Sequence, residues 1–208
     1  MTENVFDDKA ASWDDDPAKV ERATAIADLI VSTIELDDSI RLLEYGAGTG
    51  LVSHALQDSV GPVTMADTSA GMRDVMLAKI AAGTIRNGRV WDVDLAADPT
   101  PDERFDLIVT VLTLHHIHDV STVLDRFAAL LDRDGWLCVV ELDHEDGSFH
   151  GADADVHHGF GRDEMADLLT AAGFASFEFH DCHHVDRNGQ QFPMFLAVAH
   201  LDAGRTDG

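Results

Sequence analysis

The stretch EYGAGTG at residues 44–50 decides the fold, because it follows a short apolar run and opens a helical pattern. Glycines at alternate positions let the backbone turn tightly and approach a ligand closely. In open α/β sheets, ligands lie outside the carboxyl ends of the strands, where such turns occur. The stretch therefore predicts an α/β fold with a ligand held at this turn.

Two classes of ligand compete for such a turn. The dinucleotide fingerprint is G-x-G-x-x-G, and this chain carries Leu51 where that fingerprint has its third glycine. Glu44 lies two residues before the first glycine. A carboxylate there repels a pyrophosphate and favours a ligand that carries an ammonium and a sulfonium. The residues favour a cationic nucleoside over a dinucleotide, and a bare glycine turn is the remaining alternative.

Short apolar runs alternate with helical patterns along the chain. Strands are predicted over 40–45, 63–66, 89–93, 105–112 and 136–140, and helices over 17–35, 50–57, 72–83, 120–131 and 162–172. This alternation predicts a mostly parallel sheet with right-handed crossovers. Two last strands, 174–179 and 192–199, flank an Asn-Gly turn that predicts an antiparallel hairpin. We expect a Rossmann-like, doubly wound α/β sheet of seven strands in one domain, 1–208, with 1–35 as an N-terminal cap segment and helix.

The composition limits which binding partners and which cellular compartment we expect for this chain. A formal net charge of −25 repels nucleic-acid phosphates and anionic lipid, so we expect no nucleic-acid partner. The acidity is explained either by solubility in a salty interior or by attraction of a cationic ligand. Two cysteines make no disulfide framework, which indicates a reducing compartment. No signal-peptide pattern and no run of about 18 apolar residues is visible, so we expect a cytoplasmic protein without a membrane span.

Several motifs together carry a family resemblance over residues 40–142. The pattern E-x-G-x-G-x-G after the first strand resembles the signature of class I S-adenosylmethionine-dependent methyltransferases. Asp67, with Ser69 and Met72, resembles the D-x-S-x-x-M pattern of that family. Residues 105–117, ending in LHHI, resemble the fourth-strand motif of small ubiquinone-methyltransferase-like enzymes of the type 11/12 group. Residues 130–140 resemble their L-x-P-G-G turn and fifth strand, although arginine and aspartate replace the proline and one glycine.

The resemblance implies S-adenosylmethionine as the cofactor and methyl transfer to a small-molecule acceptor. It implies that Asp67 binds the ribose hydroxyls. In folds of this type, a carboxylate about 20 residues past the glycine turn accepts hydrogen bonds from the ribose diol. Asp94-Leu95 resembles the stretch that binds the adenine amino group in this family. Asp92 is an alternative for this role, and the choice between the two aspartates stays open. The residues expected to hold the cofactor are Glu44, Gly46, Ala47, Gly48, Gly50, Asp67, Thr68, Met72, Asp94, Leu95, Thr110 and Trp13.

Two segments are expected to border the site. In related enzymes the segment before the first helix folds over the cofactor. Trp13 there either shields the sulfonium or contacts the substrate by cation–π attraction, or it packs the helix against the sheet as an anchor. The polar segment 142–161 leaves the fifth strand and carries four histidines. A segment of this length is usually functional or disordered. We expect a substrate-facing lid, with a disordered acidic loop as the alternative.

Histidines are the candidate catalytic groups. If the acceptor is a hydroxyl, a thiol or an acidic carbon, a base assists the transfer, and histidine titrates in the useful range. His115 is the first candidate, followed by His157 and His158. A metal site of two histidines and a carboxylate could be assembled from the histidines past the fourth strand and in the long segment, which are His115, His116, His118, His157 and His158. Adjacent histidines on a strand point to opposite faces, and no recognised ligand spacing is present, so we expect no metal.

Two other functions remain open at this point. One is an NAD-dependent oxidoreductase, which Leu51 and Glu44 disfavour. The other is a non-catalytic protein that binds S-adenosylmethionine, for which the same glycine turn and ribose acid are expected. The sequence predicts neither the acceptor atom nor the oligomeric state.

Overall fold

The computed structural model describes residues 6–151 and 154–201. Within these ranges the chain forms two compact units, divided between Asp94 and Leu95. The first unit contains the strands β1 (Leu42–Tyr45), β2 (Val63–Ala66) and β3 (Gly88–Trp91), and the helices α1 (Pro17–Thr33), α2 (Leu51–Leu56) and α3 (Ala70–Ala81). A 3-10 helix, Asp7–Asp15, precedes α1. β2 pairs in parallel with both β1 and β3.

Local signals in the sequence set where the helices of this unit begin. Asp16 caps α1 by accepting a hydrogen bond of 3.0 Å from the N–H of Ala18, and proline occupies the first helical position. Ser69 caps α3 in the same way, through the N–H of Met72 at 3.2 Å. Every residue of β1 and β2 is buried, as expected of parallel strands covered on both faces.

The second unit contains the strands β4 (Phe105–Val111), β5 (Leu131–Leu142), β6 (Ser176–Arg187) and β7 (Gln190–His200), and the helices α4 (Val120–Leu130) and α5 (Arg162–Ala171). β5 pairs in parallel with β4 and antiparallel with β7, which also pairs antiparallel with β6. The sheet has seven strands in the order β3-β2-β1-β4-β5-β7-β6. The predicted Rossmann-like α/β class and its antiparallel hairpin are confirmed. Within the described ranges, no helix is both long and apolar enough to span a bilayer.

Several boundaries differ from the sequence prediction, and the differences in β5, β6 and β7 change the reading of the sheet. β5 begins at Leu131 rather than at residue 136. β6 extends to Arg187, and β7 begins at Gln190, so the hairpin is longer than its apolar pattern. Backbone pairing continues there through polar, exposed residues up to Asn188-Gly189, whose φ values of 53° and 80° allow a tight hairpin turn. The apolar pattern marks the buried part of a strand, not its full paired length.

Candidate active site

The glycine turn lies between β1 and α2, and all three of its glycines have positive φ. The angles are 70° for Gly46, 56° for Gly48 and 77° for Gly50. A Cβ atom on Gly50 would lie 2.7 Å from the sulfur of Met65 and 3.1 Å from Cδ1 of Ile85. Backbone conformation and close packing therefore both require glycine at position 50.

The start of the turn is tied to the end of β2. The N–H groups of Gly46 and Ala47 donate to the carbonyl of Ala66 at 2.8 and 2.9 Å. Ala47 itself is buried. The turn is thus held in place by the neighbouring strand, before any ligand binds.

Asp67 directly follows β2 and holds two backbone groups at once. Its Oδ2 accepts a hydrogen bond of 2.8 Å from the N–H of Gly48, and its Oδ1 accepts one of 2.8 Å from the N–H of Ser69. Burial raises the pKa of Asp67, and these hydrogen bonds and the charge of Arg73 oppose that shift. A carboxylate has about four lone-pair sites, so both oxygens retain capacity to accept hydrogen bonds from a vicinal diol.

Glu44 lies in β1 and is buried. Its Oε2 accepts hydrogen bonds from the N–H of Ser53, at 2.9 Å, and from the hydroxyl of the same residue in α2. Burial raises the pKa of Glu44 to about 7, while the hydrogen bonds from Ser53 lower it; the charge of Asp67 raises it further and that of Lys79 lowers it. The side chain therefore anchors α2, and near neutral pH it carries only part of the negative charge that the sequence argument assigned to it.

The 3-10 helix Asp7–Asp15 lies along the glycine turn. The Oδ1 of Asp14 accepts a hydrogen bond of 2.5 Å from the hydroxyl of Thr49, and its Oδ2 lies 2.5 Å from Nζ of Lys79. Lys79 also donates to the carbonyl of Thr49 at 2.7 Å. The indole nitrogen of Trp13 would lie 4.0 Å from a Cβ atom at position 48. The expected cap segment thus contacts the turn directly.

The same 3-10 helix is attached to the start of α3. Asp7 accepts hydrogen bonds from the hydroxyl of Ser69, at 2.5 Å, and from the N–H of Gly71, at 3.1 Å. Nζ of Lys19 lies 3.7 Å from the centroid of the Trp13 ring, and the Phe6 ring packs edge-on at 6.1 Å. Trp13 therefore packs against α1 as well as near the turn, in line with the anchoring role, and its predicted role toward the cofactor or substrate stays a prediction.

The two aspartates considered for the adenine have different surroundings. Asp92 forms two contacts of 2.9 Å with the guanidinium of Arg73, which also donates to the carbonyl of Asp67. Asp94 is half-buried, and Asp92 is exposed. The ion pair gives Asp92 a structural partner, and the choice between Asp92 and Asp94 for the adenine stays open.

The other residues expected to hold the cofactor lie in varied positions. Thr68 is exposed and Met72 is buried in α3. Leu95, in the second unit, is buried, and its carbonyl accepts a hydrogen bond from Arg126. Thr110 is buried in β4, and its hydroxyl has no hydrogen-bond partner within the described ranges.

In the second unit, His115 and Glu141 form a buried pair. Nδ1 of His115 lies 2.8 Å from Oε2 of Glu141, and the two side chains are 2% and 0% exposed. The N–H of His115 also donates to Oε1 of Glu141, at 3.2 Å. In the tautomer that donates from Nδ1 to this carboxylate, Nε2 of His115 has a free lone pair.

His157 and His158 support the surrounding loop. The N–H of His157 donates to the carbonyl of His115 at 2.9 Å, and its Nε2 donates to the carbonyl of Ile117 at 3.0 Å. The ring of His158 packs over Gly147, where a Cβ atom would lie 2.8 Å from it. These contacts give His157 a structural role beside His115 and His158 one beside Gly147, and their predicted part in catalysis stays a prediction.

The long segment after β5 follows a path defined by backbone hydrogen bonds in its described part, 143–151 and 154–161. The N–H of His144 donates to the carbonyl of Phe160, at 3.1 Å, and that of Glu145 to the carbonyl of His158, at 2.9 Å. The segment brings His150 to His115, with 5.0 Å between the ring centroids. Burial is the first cause that lowers the pKa of His150, to about 4, and the positive charge of Arg187 also lowers it.

Sequence reasoning missed Glu141, and it placed His150 in the predicted lid without foreseeing its approach to His115. Glu141 had a visible signal, because it is a charged residue within the apolar run VVEL at 139–142; a buried charge requires a partner. His150 had none, because its approach to His115 depends on how the segment folds back. Adjacent histidines on a strand would point to opposite faces, but His115 and His116 lie in the 3-10 turn Leu114–His116.

Comparison with known proteins identifies the family. A family model described as a methyltransferase domain matches residues 19–178. The chain belongs to this methyltransferase domain family, which confirms the class that its motifs resemble. An uncharacterized methyltransferase of Schizosaccharomyces pombe is 30% identical over 137 residues, which are 62% of this chain and 46% of the relative. The chain spans about half the length of the curated relatives it matches.

Solved structures share the fold at low sequence identity. A protein described as a methyltransferase, in complex with the Haloferax volcanii Trm112 methyltransferase activator, has a TM-score of 0.79 and 16% identity, covering 97% of this chain and 100% of its own. The N-methyltransferase NodS of Bradyrhizobium japonicum, in complex with S-adenosylhomocysteine, has a TM-score of 0.69 and 19% identity, covering 90% and 89%. These likenesses support the fold.

Proposed function

We propose that this chain transfers a methyl group from S-adenosylmethionine to a small-molecule acceptor and releases S-adenosylhomocysteine. The hydrogen bond from the N–H of Gly48 to Asp67 carries the proposal. It holds a carboxylate that could bind the ribose hydroxyls beside a glycine turn whose backbone a ligand can approach closely. Membership of the methyltransferase domain family supports the same reaction.

Residues of the first unit would hold the cofactor. Asp67 would accept hydrogen bonds from the ribose hydroxyls, and Asp94 would read the adenine. A bound cation beside Glu44 would favour its ionised form, so binding and ionisation support each other. When bound, S-adenosylmethionine supplies a methyl group already activated by a sulfonium. The protein's task is then to orient the acceptor and exclude water.

His115 is the residue we assign to the acceptor's proton. Glu141 fixes the ring through Nδ1 and stabilises the imidazolium that forms when Nε2 takes a proton. The loop containing His157 and His158 would cover the acceptor, in line with the lid predicted from the sequence.

The net charge supports an acceptor that is not a nucleic acid, and the cysteines support a reducing compartment. A net charge of −25 disfavours a nucleic-acid acceptor. Cys138 and Cys182 are both free thiols, which supports a reducing compartment such as the cytoplasm.

Methyl release over a panel of phenols, thiols, amines and activated carbon acids tests this function. We expect at least one acceptor class to give S-adenosylhomocysteine in amounts equal to methylated product. Tight binding of S-adenosylhomocysteine with no turnover on any class would favour the non-catalytic alternative. Oxidation or reduction of a substrate with NAD would favour the oxidoreductase.

A further inference from the structure

Three histidine rings converge in the second unit. The ring centroids of His115 and His116 lie 4.1 Å apart, and that of His150 lies 5.0 and 5.1 Å from them. One ring nitrogen from each histidine lies within 4.8 Å of the other two. The 3-10 turn makes this possible, because successive residues there do not alternate between two faces as they do on a strand.

Two of these rings have a nitrogen suited to a metal ion. Nδ1 of His115 is held by Glu141, so Nε2 presents a lone pair in a fixed direction. A carboxylate that orients a histidine from behind is the usual outer partner of a metal-bound imidazole. Nε2 of His150 is buried and has no hydrogen-bond partner within the described ranges. Buried polar atoms in folded proteins usually have a hydrogen-bond partner, and a bound metal ion would supply one for this nitrogen.

We propose that His115, His116 and His150 bind one divalent transition-metal ion of the zinc class, with Glu141 as the positioning residue behind His115. Three imidazoles with an open fourth position form the ligand set of a catalytic zinc site. At bond lengths of about 2.0–2.1 Å, tetrahedral ligand nitrogens lie roughly 3.4 Å apart. The ring nitrogens now lie within 4.8 Å of one another, so binding would require them to approach by up to about 1.4 Å.

The open position gives the ion a place in the chemistry, and this step rests on the proposed methyl transfer. An acceptor hydroxyl or thiol bound there would lose its proton to solvent more readily, because a bound metal ion lowers the pKa of its ligand. The lone pair left on oxygen or sulfur would then form the new bond to the methyl carbon while the bond from that carbon to the sulfonium sulfur breaks, and its electron pair stays on the sulfur of S-adenosylhomocysteine. In the metal-bound state, Nε2 of His115 is a ligand, and the ion replaces it as the activating group.

Metal binding is tested on full-length protein without a polyhistidine tag, freed of metal by a chelator. Equilibrium dialysis against Zn²⁺ and Co²⁺ should give one equivalent bound. His116→Ala and His150→Ala should each weaken binding by at least about 100-fold, and Glu141→Gln by about 10- to 100-fold. His144→Ala is the matched control, since His144 is an exposed residue of the same segment, and should bind like the wild type.

The Co²⁺ form of the wild-type protein provides a measurement that needs no variant. We expect visible absorption of a nitrogen-ligated ion and three paramagnetically shifted imidazole N–H signals. No stoichiometric binding, or unchanged affinity in both histidine variants, overturns the site. Full turnover after metal removal overturns only its role in catalysis. Because the dialysis contains no cofactor, a failure to bind metal can be distinguished from a failure to bind S-adenosylhomocysteine.

Discussion

Oδ2 of Asp67 lies 2.8 Å from the backbone nitrogen of Gly48 and accepts its hydrogen bond. This contact joins the acid that follows β2 to the middle glycine of the turn that follows β1. The other oxygen of the same carboxylate is held by Ser69. The proposed ribose acceptor is therefore positioned before a ligand arrives, which reduces the ordering cost of binding.

Replacing Asp67 with asparagine should weaken S-adenosylhomocysteine binding by about 10- to 100-fold, because hydrogen bonds to a charged group contribute about 1.5–3 kcal/mol. The Kd measured by calorimetry checks this. Asp74→Asn, an exposed site on α3, is the control and should leave the Kd within about twofold of wild type, as expected for a surface change. Equal affinities of the Asp67 variant and this control would remove Asp67 from the site.

Gly50→Ala should destabilise the protein by about 2–4 kcal/mol, from the positive φ and from overpacking against Met65. Gly83→Ala is a matched control, because Gly83 has a φ of 75° and nothing within 4 Å of a built Cβ atom. It should lose only about 1–2 kcal/mol. Denaturant unfolding of both variants gives the comparison, and similar losses would show that packing at position 50 is unimportant.

Glu44 should make the stability of the protein depend on pH. Its pKa is about 7 in the folded protein against 4.5 for the ordinary group, so the folded state binds the proton more tightly. The stabilisation is complete below pH 4.5 and is lost as the pH rises through about 7, a change of about 3 kcal/mol. Glu44→Gln should remove this part of the pH dependence of the unfolding free energy.

The exposed Asp102→Asn provides the control for that measurement and should leave the pH dependence unchanged. An unfolding free energy that varies with pH in the same way in wild type and Glu44→Gln would mean that Glu44 is ionised in the folded protein. The charge argument for a cationic ligand would then apply in full.

His115→Ala should lower kcat by about 10²- to 10⁴-fold and leave the Kd of S-adenosylhomocysteine unchanged, because His115 is assigned to the acceptor. His118→Ala is the matched control, since it lies three residues further along and is exposed. Steady-state methyl transfer and calorimetry separate the two effects. An equal loss of turnover and of cofactor affinity would assign His115 to cofactor binding instead.

Much of the fold was predictable because burial on both faces leaves continuous apolar runs, as in β1 and β2. The distal half of the β6–β7 hairpin was not, because its backbone pairing continues through polar residues. The glycine turn was predictable since positive φ at closely spaced positions demands glycine. The convergence of His150 on His115 was not predictable, since it depends on the path of a segment that carries no periodic pattern.

Calorimetric titration of the purified chain with S-adenosylhomocysteine and, separately, with NADH tests the central claim most directly. We expect one equivalent of S-adenosylhomocysteine to bind, with no measurable heat from NADH at the same concentrations. Tight binding of NADH, with no response to S-adenosylhomocysteine, would contradict the assignment of the glycine turn to an adenosyl sulfur compound.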